Sequence, residues 1–122
     1  MADFGFDDSF RLKSASDFNY LRSNSSRASN KFFICYFKKS KIDSDRTRLG
    51  LAVSKKLGNA VVRNKLKRLM REYFRNSTYK KLGLDILVVP SNRLKDQVFE
   101  DGFNSMFTGH LEDLFKKINK EQ

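Results

Sequence analysis

The sequence has no tryptophan, one cysteine, one proline and one histidine in 122 residues, and each scarcity removes a class of protein. Cys35 stands alone in an apolar run, so the chain can form neither an internal disulfide nor a cysteine-based zinc site, in keeping with a reducing compartment. His110 is not accompanied by a Ser-His-Asp grouping, a metal-binding cluster or a phosphate-cradling glycine-rich loop, which leaves no candidate catalytic residue and no metal ligand set. It falls near the apolar stripe of the last predicted helix and reads as a partly buried structural residue. There is no repeat and no low-complexity tract. No apolar stretch approaches the roughly 20 residues of a membrane span, and the opening MADFGFDD carries acids where a signal peptide carries positive charge. A soluble, cytoplasmic protein without a membrane partner is expected.

What is present is apolar mass and focused positive charge. The chain is 39% hydrophobic with 12 Phe, enough for one core, and residues 1–122 are read as a single domain with its core over about 10–118. Of the net charge of +11, all is accounted for between Arg46 and Leu82, where 12 Lys or Arg face one acid, Glu72; the remainder balances 13 against 13. Clustering of this kind favours a polyanion, because cations that neutralise phosphates release condensed counterions. A solvated surface serving solubility is the plainer alternative, but solubility needs only a modest net charge.

Hydrophobic periodicity orders the elements. Ser14 to Arg22 predicts a short helix capped by Ser14 or Ser16, with Phe18 and Leu21 on one face. Ser23 to Asn30 reads as a loop, and Lys31 to Lys38 as a strand without a polar face. After a charged turn at Lys41 to Asp45, Arg48 to Ser54 alternates Leu49, Leu51 and Val53 with Arg48, Gly50, Ala52 and Ser54. The small side chains of the second face make room either for a ligand or for a closely packed helix. Asn59 to Arg75 predicts a helix with Val62, Leu66, Leu69, Met70 and Tyr73 on one stripe and Asn64, Lys67, Arg68, Arg71 and Arg75 opposite. Asp85 to Val89 is a short buried strand stopped by Pro90. From Asp96 onward Phe99, Phe103, Met106, Phe107, Leu111, Leu114 and Ile118 recur at helical spacing, in a helix weakened by Gly102 and Gly109. The fold class is α+β, a single-domain α-β sandwich. If the strands flanking the basic helix are parallel, the general rule makes their connection right-handed.

Function concentrates in RNKLKRLMREYFR, Arg63 to Arg75, which carries six cations and one acid. Arg63, Lys67 and Arg71 are spaced by four, as are Asn64 and Arg68, so like charges repel along the helix unless a partner neutralises them. Arg forks can hold phosphate oxygens at two points, and Asn64 offers both donor and acceptor. Just upstream, Ser54, Lys55 and Lys56 lead through Gly58 into the helix N-terminus and extend the cationic surface. Phe18, Phe32 and Tyr36 are candidates for stacking on unpaired bases, although most of the aromatics must be core.

The run RLGLAVSKKLGNAVVRNKLKRLMREYFR, Arg48 to Arg75, resembles the bacterial ribonuclease P protein family, whose helix carries an Arg-Asn-x-x-Lys-Arg-x-x-Arg pattern, here Arg63, Asn64, Lys67, Arg68 and Arg71. The segment RLKSASDFNYLR and the strand that follows are similar to the family's first helix and strand. The resemblance implies a small mixed sheet with a left-handed βαβ crossover at the basic helix, contrary to the general rule. It implies that Arg63, Asn64, Lys65, Lys67, Arg68 and Arg71 contact the ribonuclease P RNA. It places the single-stranded 5′ leader of precursor tRNA in a cleft with Phe18, Tyr36, Ala52, Ser54, Lys55 and Lys56. Arg22 stands where the family often carries a second aromatic, which favours a phosphate contact over stacking there. The implied enzyme is the endoribonuclease holoenzyme that removes the leader, with Mg2+ held by the RNA subunit, no cofactor on the protein and no obligate protein partner. Three rivals are a ribosomal-type structural RNA-binding protein, a DNA-binding regulator with the basic helix in a major groove, and a self-sufficient nuclease. The last is disfavoured by the lack of a carboxylate or histidine cluster.

Overall fold

A computed structural model describes residues 12, 15–22, 25–41 and 45–120. The elements in chain order are α1 (Ala15–Arg22), β1 (Ser26–Ser29), β2 (Phe33–Lys39), β3 (Arg48–Leu51), α2 (Ala60–Arg75), β4 (Leu84–Pro90) and α3 (Phe103–Lys120). The expected cap at Ser14, the middle of the Lys41 to Asp45 turn and the side chain of Arg22 lie outside the described residues.

The four strands form one sheet in the order β1-β2-β4-β3, antiparallel except for the parallel pair β3 and β4. The basic helix α2 is therefore the crossover of a βαβ unit. Alternation along β2 sends Phe33, Cys35 and Phe37 into the main core together with Leu49 of β3 and Ile86 and Val88 of β4. That face is covered by α2 through Leu66, Leu69, Met70 and Phe74, and by α3 through six buried residues including Phe107, Phe115 and Ile118. Glu112 of α3 accepts hydrogen bonds from the phenols of Tyr73 and Tyr79, fastening α3 to α2 and to the turn that follows it. Burial, with this carboxylate beside it, holds the Tyr73 phenol well above its ordinary pKa.

The opposite face carries Ile34, Tyr36 and Lys38 and, among the described residues, is covered in part by α1 and by Leu12. The α1 helix is tied down by Tyr20, whose hydroxyl donates to the Lys39 carbonyl at 2.8 Å and whose ring lies 3.8 Å from the Lys38 ammonium.

Several expectations are corrected. Ser26–Ser29, read as loop, is a strand: its polar residues have little β-propensity, and pairing with β2 holds it. The last helix begins at Phe103, not Asp96, because Asp96 (φ 69°) and Gly102 (φ 79°) break the backbone into turns. Gly102 thus precedes the helix and sets its start. Phe74, absent from the predicted stripe, is fully buried, whereas Tyr73 and Val62 are only half-buried. Arg48, expected on a half-polar strand face, is buried against Asp85 of the adjacent strand, with Nη2 to Oδ2 at 2.7 Å.

Candidate nucleic-acid interface

The cationic surface is built on α2, which starts cleanly because the Asn59 side chain accepts from the Val62 amide at 3.1 Å and satisfies one of the free N–H groups of the first turn. With Leu66, Leu69, Met70 and Phe74 turned inward, the helix leaves Asn64 and Arg68 exposed and Lys67 and Arg75 half-buried. Among the described residues none of these four side chains is engaged: Lys67, Arg68 and Arg75 have no ion pair, and Asn64 no hydrogen bond. The first α2 turn contains no acid. Arg63 is turned back, its Nε donating to the Gly58 carbonyl at 3.3 Å, and Arg71 is half-buried with an interaction inside the chain. Lys65 is diverted: its ammonium donates to the Val98 carbonyl at 2.6 Å and lies 4.7 Å from the Phe99 ring centre. Of the six residues expected on this surface, Asn64, Lys67 and Arg68 are thus open to a partner, while Arg63 and Lys65 also brace the fold.

The second set of expected residues meets on the other face of the sheet. Tyr36, Leu87 and Gly50 share one rung across β2, β4 and β3. Phe18 of α1 lies directly over Gly50, where an added Cβ would come within 2.9 Å of the Phe18 ring and 3.0 Å of Leu12 Cδ1. Beside α1 a strip of half-buried sheet remains: Ile34, Tyr36, Leu87 and Val89, continued by exposed Ala52. At the end of this strip Ser54 caps a single 3₁₀ turn, Lys55–Leu57, by accepting from the Lys56 amide at 3.1 Å, and both lysines point into solvent. Phe18 and Tyr36 therefore lie on one face of the sheet, and Ala52, Ser54, Lys55 and Lys56 follow from the end of β3 beside it. Phe32 does not join it. It is 6% exposed, edge-on to His110 with ring centres 4.8 Å apart, because the chain crosses to the α3 side just before β2 begins.

The structure adds residues that the sequence reading missed. A hollow of about 270 Å³ at the same end of the sheet is bordered by Arg27, Lys31 and Arg93 together with Ile34. These cations come from β1, the turn after it and the segment after β4, so their convergence depends on strand register and left no local signal. Among the described residues no three of His, Cys, Asp and Glu come together in a way that could hold a metal ion, and no helix is long and apolar enough to cross a membrane.

The space over Gly50 sets a test. Gly50→Val is expected to lower unfolding stability by about 1–3 kcal/mol, as overpacking usually does. It should also speed hydrogen exchange at the Leu12 amide, which donates to the Leu49 carbonyl at 3.1 Å, more than at Ile86 in the opposite core. Equal protection of Leu12 in both proteins would show that α1 does not rest on this glycine.

Comparison with known proteins gives a consistent result. The family model described as Ribonuclease P matches residues 6–119. A curated relative, the ribonuclease P protein component of Staphylococcus aureus (strain N315), is 37% identical over 112 residues, 92% of this chain and 95% of the relative. Among solved structures, the RNase P protein of Staphylococcus aureus superposes with a TM-score of 0.77 at 35% identity, covering 89% of this chain and 94% of that one. The RNase P protein from Thermotoga maritima gives 0.76 at 34% identity, covering 88% and 96%.

Proposed function

Because this chain belongs to the ribonuclease P protein family, we propose that it binds the ribonuclease P RNA through α2 and the single-stranded 5′ leader of precursor tRNA through the strip beside α1. The observation that carries this reading is the separation of the two surfaces. The open cations of α2 belong to the layer on one face of the sheet, and the Phe18, Tyr36 and Ala52 strip lies on the other, so both strands can be held at once. On the first surface, Asn64, Lys67 and Arg68 take phosphates of the RNA subunit, with Arg63, Lys65 and Arg71 shaping the rim. On the second, Phe18 and Tyr36 stack on unpaired bases while Lys55 and Lys56 meet the leader phosphates. Arg27, Lys31 and Arg93 extend that cationic border.

In this reading the chain contributes binding and positioning. Mg2+ held by the RNA subunit would supply the phosphodiester hydrolysis, by polarising the scissile phosphate and activating water. The protein lowers repulsion between phosphates, reduces the magnesium required, and favours precursor over mature tRNA, which lacks a leader. It works in the cytoplasm, where precursor tRNA is made.

The test is to mix the purified protein with a bacterial ribonuclease P RNA and a precursor tRNA at low magnesium and measure leader removal. Cleavage that neither component gives alone is the expected result; tight RNA binding without stimulation would move the assignment to a ribosomal-type RNA-binding protein. Phe18→Ala should weaken precursor binding by roughly fivefold or more, the loss typical of one base stack, while leaving holoenzyme assembly intact. Equal defects in both assays would argue against two surfaces.

A further inference from the structure

Val61 and Phe99 are the large apolar side chains that stand exposed among the described residues, each at 65%. They occur together. With Asn64, Lys65 and Arg68 they line one open groove of about 680 Å³ on the flank of α2. Phe99 is held there by its surroundings. Leu94 and Val98 anchor the segment between β4 and α3 in the core, and Asp96 at positive φ turns the backbone between them. The Lys65 ammonium, hydrogen-bonded to the Val98 carbonyl, lies over the Phe99 and Phe103 rings at 4.7 and 5.4 Å from their centres. An aromatic ring fixed in solvent costs the protein hydrophobic free energy that a partner can recover.

The rim of the groove selects the partner. Asn64 and Arg68 have no partner among the described residues, and no acid lines the groove; Asp96 and Glu100 line the hollow on the other side of Phe99. An apolar floor beside a guanidinium and a free amide fits a planar ring that carries hydrogen-bonding edges and is tethered to phosphate. We propose that Phe99, with Val61 beside it, is a stacking platform for one unpaired base of the ribonuclease P RNA, Arg68 taking the adjoining phosphate and Asn64 the base edge. This rests on the reading of α2 as the surface for the RNA subunit, and it adds shape recognition to what charge alone provides.

The chain has no tryptophan, so Phe99→Trp introduces a single indole at the platform. Titration of this variant with ribonuclease P RNA is expected to quench the indole fluorescence, saturating at the concentration that saturates filter binding. Phe99→Ala should weaken RNA binding by about tenfold, within the range for one base–aromatic stack. The slope of log K against log salt should stay unchanged, because no phosphate contact is removed. Circular dichroism and thermal melting of both variants establish that they are folded. Unquenched fluorescence with undiminished affinity of Phe99→Ala overturns the proposal, as does a loss of affinity with a flattened salt slope. Undiminished RNA affinity with lost self-association would assign the patch to a second copy of the chain instead. If the unsubstituted chain does not bind the RNA, it is the reading of α2 that fails.

Discussion

Asp85→Ala is expected to lower the unfolding free energy by about 3–5 kcal/mol, the usual cost of leaving one member of a buried ion pair without its partner. Asp85 is fully buried and accepts from Arg48 Nε at 2.9 Å, Arg48 Nη2 at 2.7 Å, the Ser40 hydroxyl at 3.2 Å and the Lys41 amide at 3.1 Å. Its removal takes the carboxylate away from a buried guanidinium and the buried Ser40 hydroxyl, and from the Lys41 amide. Against a total stability of about 5–15 kcal/mol this is a large fraction, equivalent to a fall in Tm of roughly 10–20 °C. Urea denaturation measures it directly. The double variant Arg48→Met with Asp85→Leu should recover most of the loss, since apolar replacement of both members removes the stranded charge. A single variant within 1 kcal/mol of the parent, on the scale of an exposed pair, would show that the pair is solvated in solution.

Replacing Lys67 and Arg68 together with Ala should produce the largest change in RNA binding. Both project from α2 without ion-pair partners among the described residues, so their removal costs the fold little. Each phosphate contact contributes a slope of about −0.9 in log K against log salt for a duplex. Loss of two contacts therefore makes the deficit relative to the parent about tenfold greater at 50 mM than at 200 mM salt. Filter binding to ribonuclease P RNA across that range reads it. A deficit independent of salt would mean that the two side chains act through packing.

Much of this was legible in the sequence because the informative patterns were local. The α2 helix announced its two faces, and Arg68 and Asn64 are where the spacing put them. The small face of Gly50 and Ala52 pointed either to a ligand or to a helix, and the structure shows α1 over Gly50 with Ala52 left open. What escaped was set by register. Arg48 and Asp85 are 37 residues apart and meet only because β3 and β4 pair in parallel with those positions side by side. The polar segment SRAS becomes a strand only through its neighbour β2. Phe99 matched the stripe of the last helix in spacing, yet positive-φ residues on either side place it in turns, and the same feature that broke the pattern exposed the ring.

The position of β4 has a consequence for synthesis. It is the last strand in the chain but an interior strand of the sheet, the bridge between β2 and β3. A nascent chain extended through Arg75 holds a β1–β2 hairpin and a β3 that has no neighbour to pair with. Its charged helix is complete before the sheet on which that helix rests exists. Assembly of the sheet must wait for β4, and closure of the core for α3 thereafter. A chain cut before Leu84 is expected to leave β2 and β3 unjoined, and one cut between Pro90 and Phe103 to leave the core face without α3, each a substrate for proteases and chaperones rather than a partly active subunit.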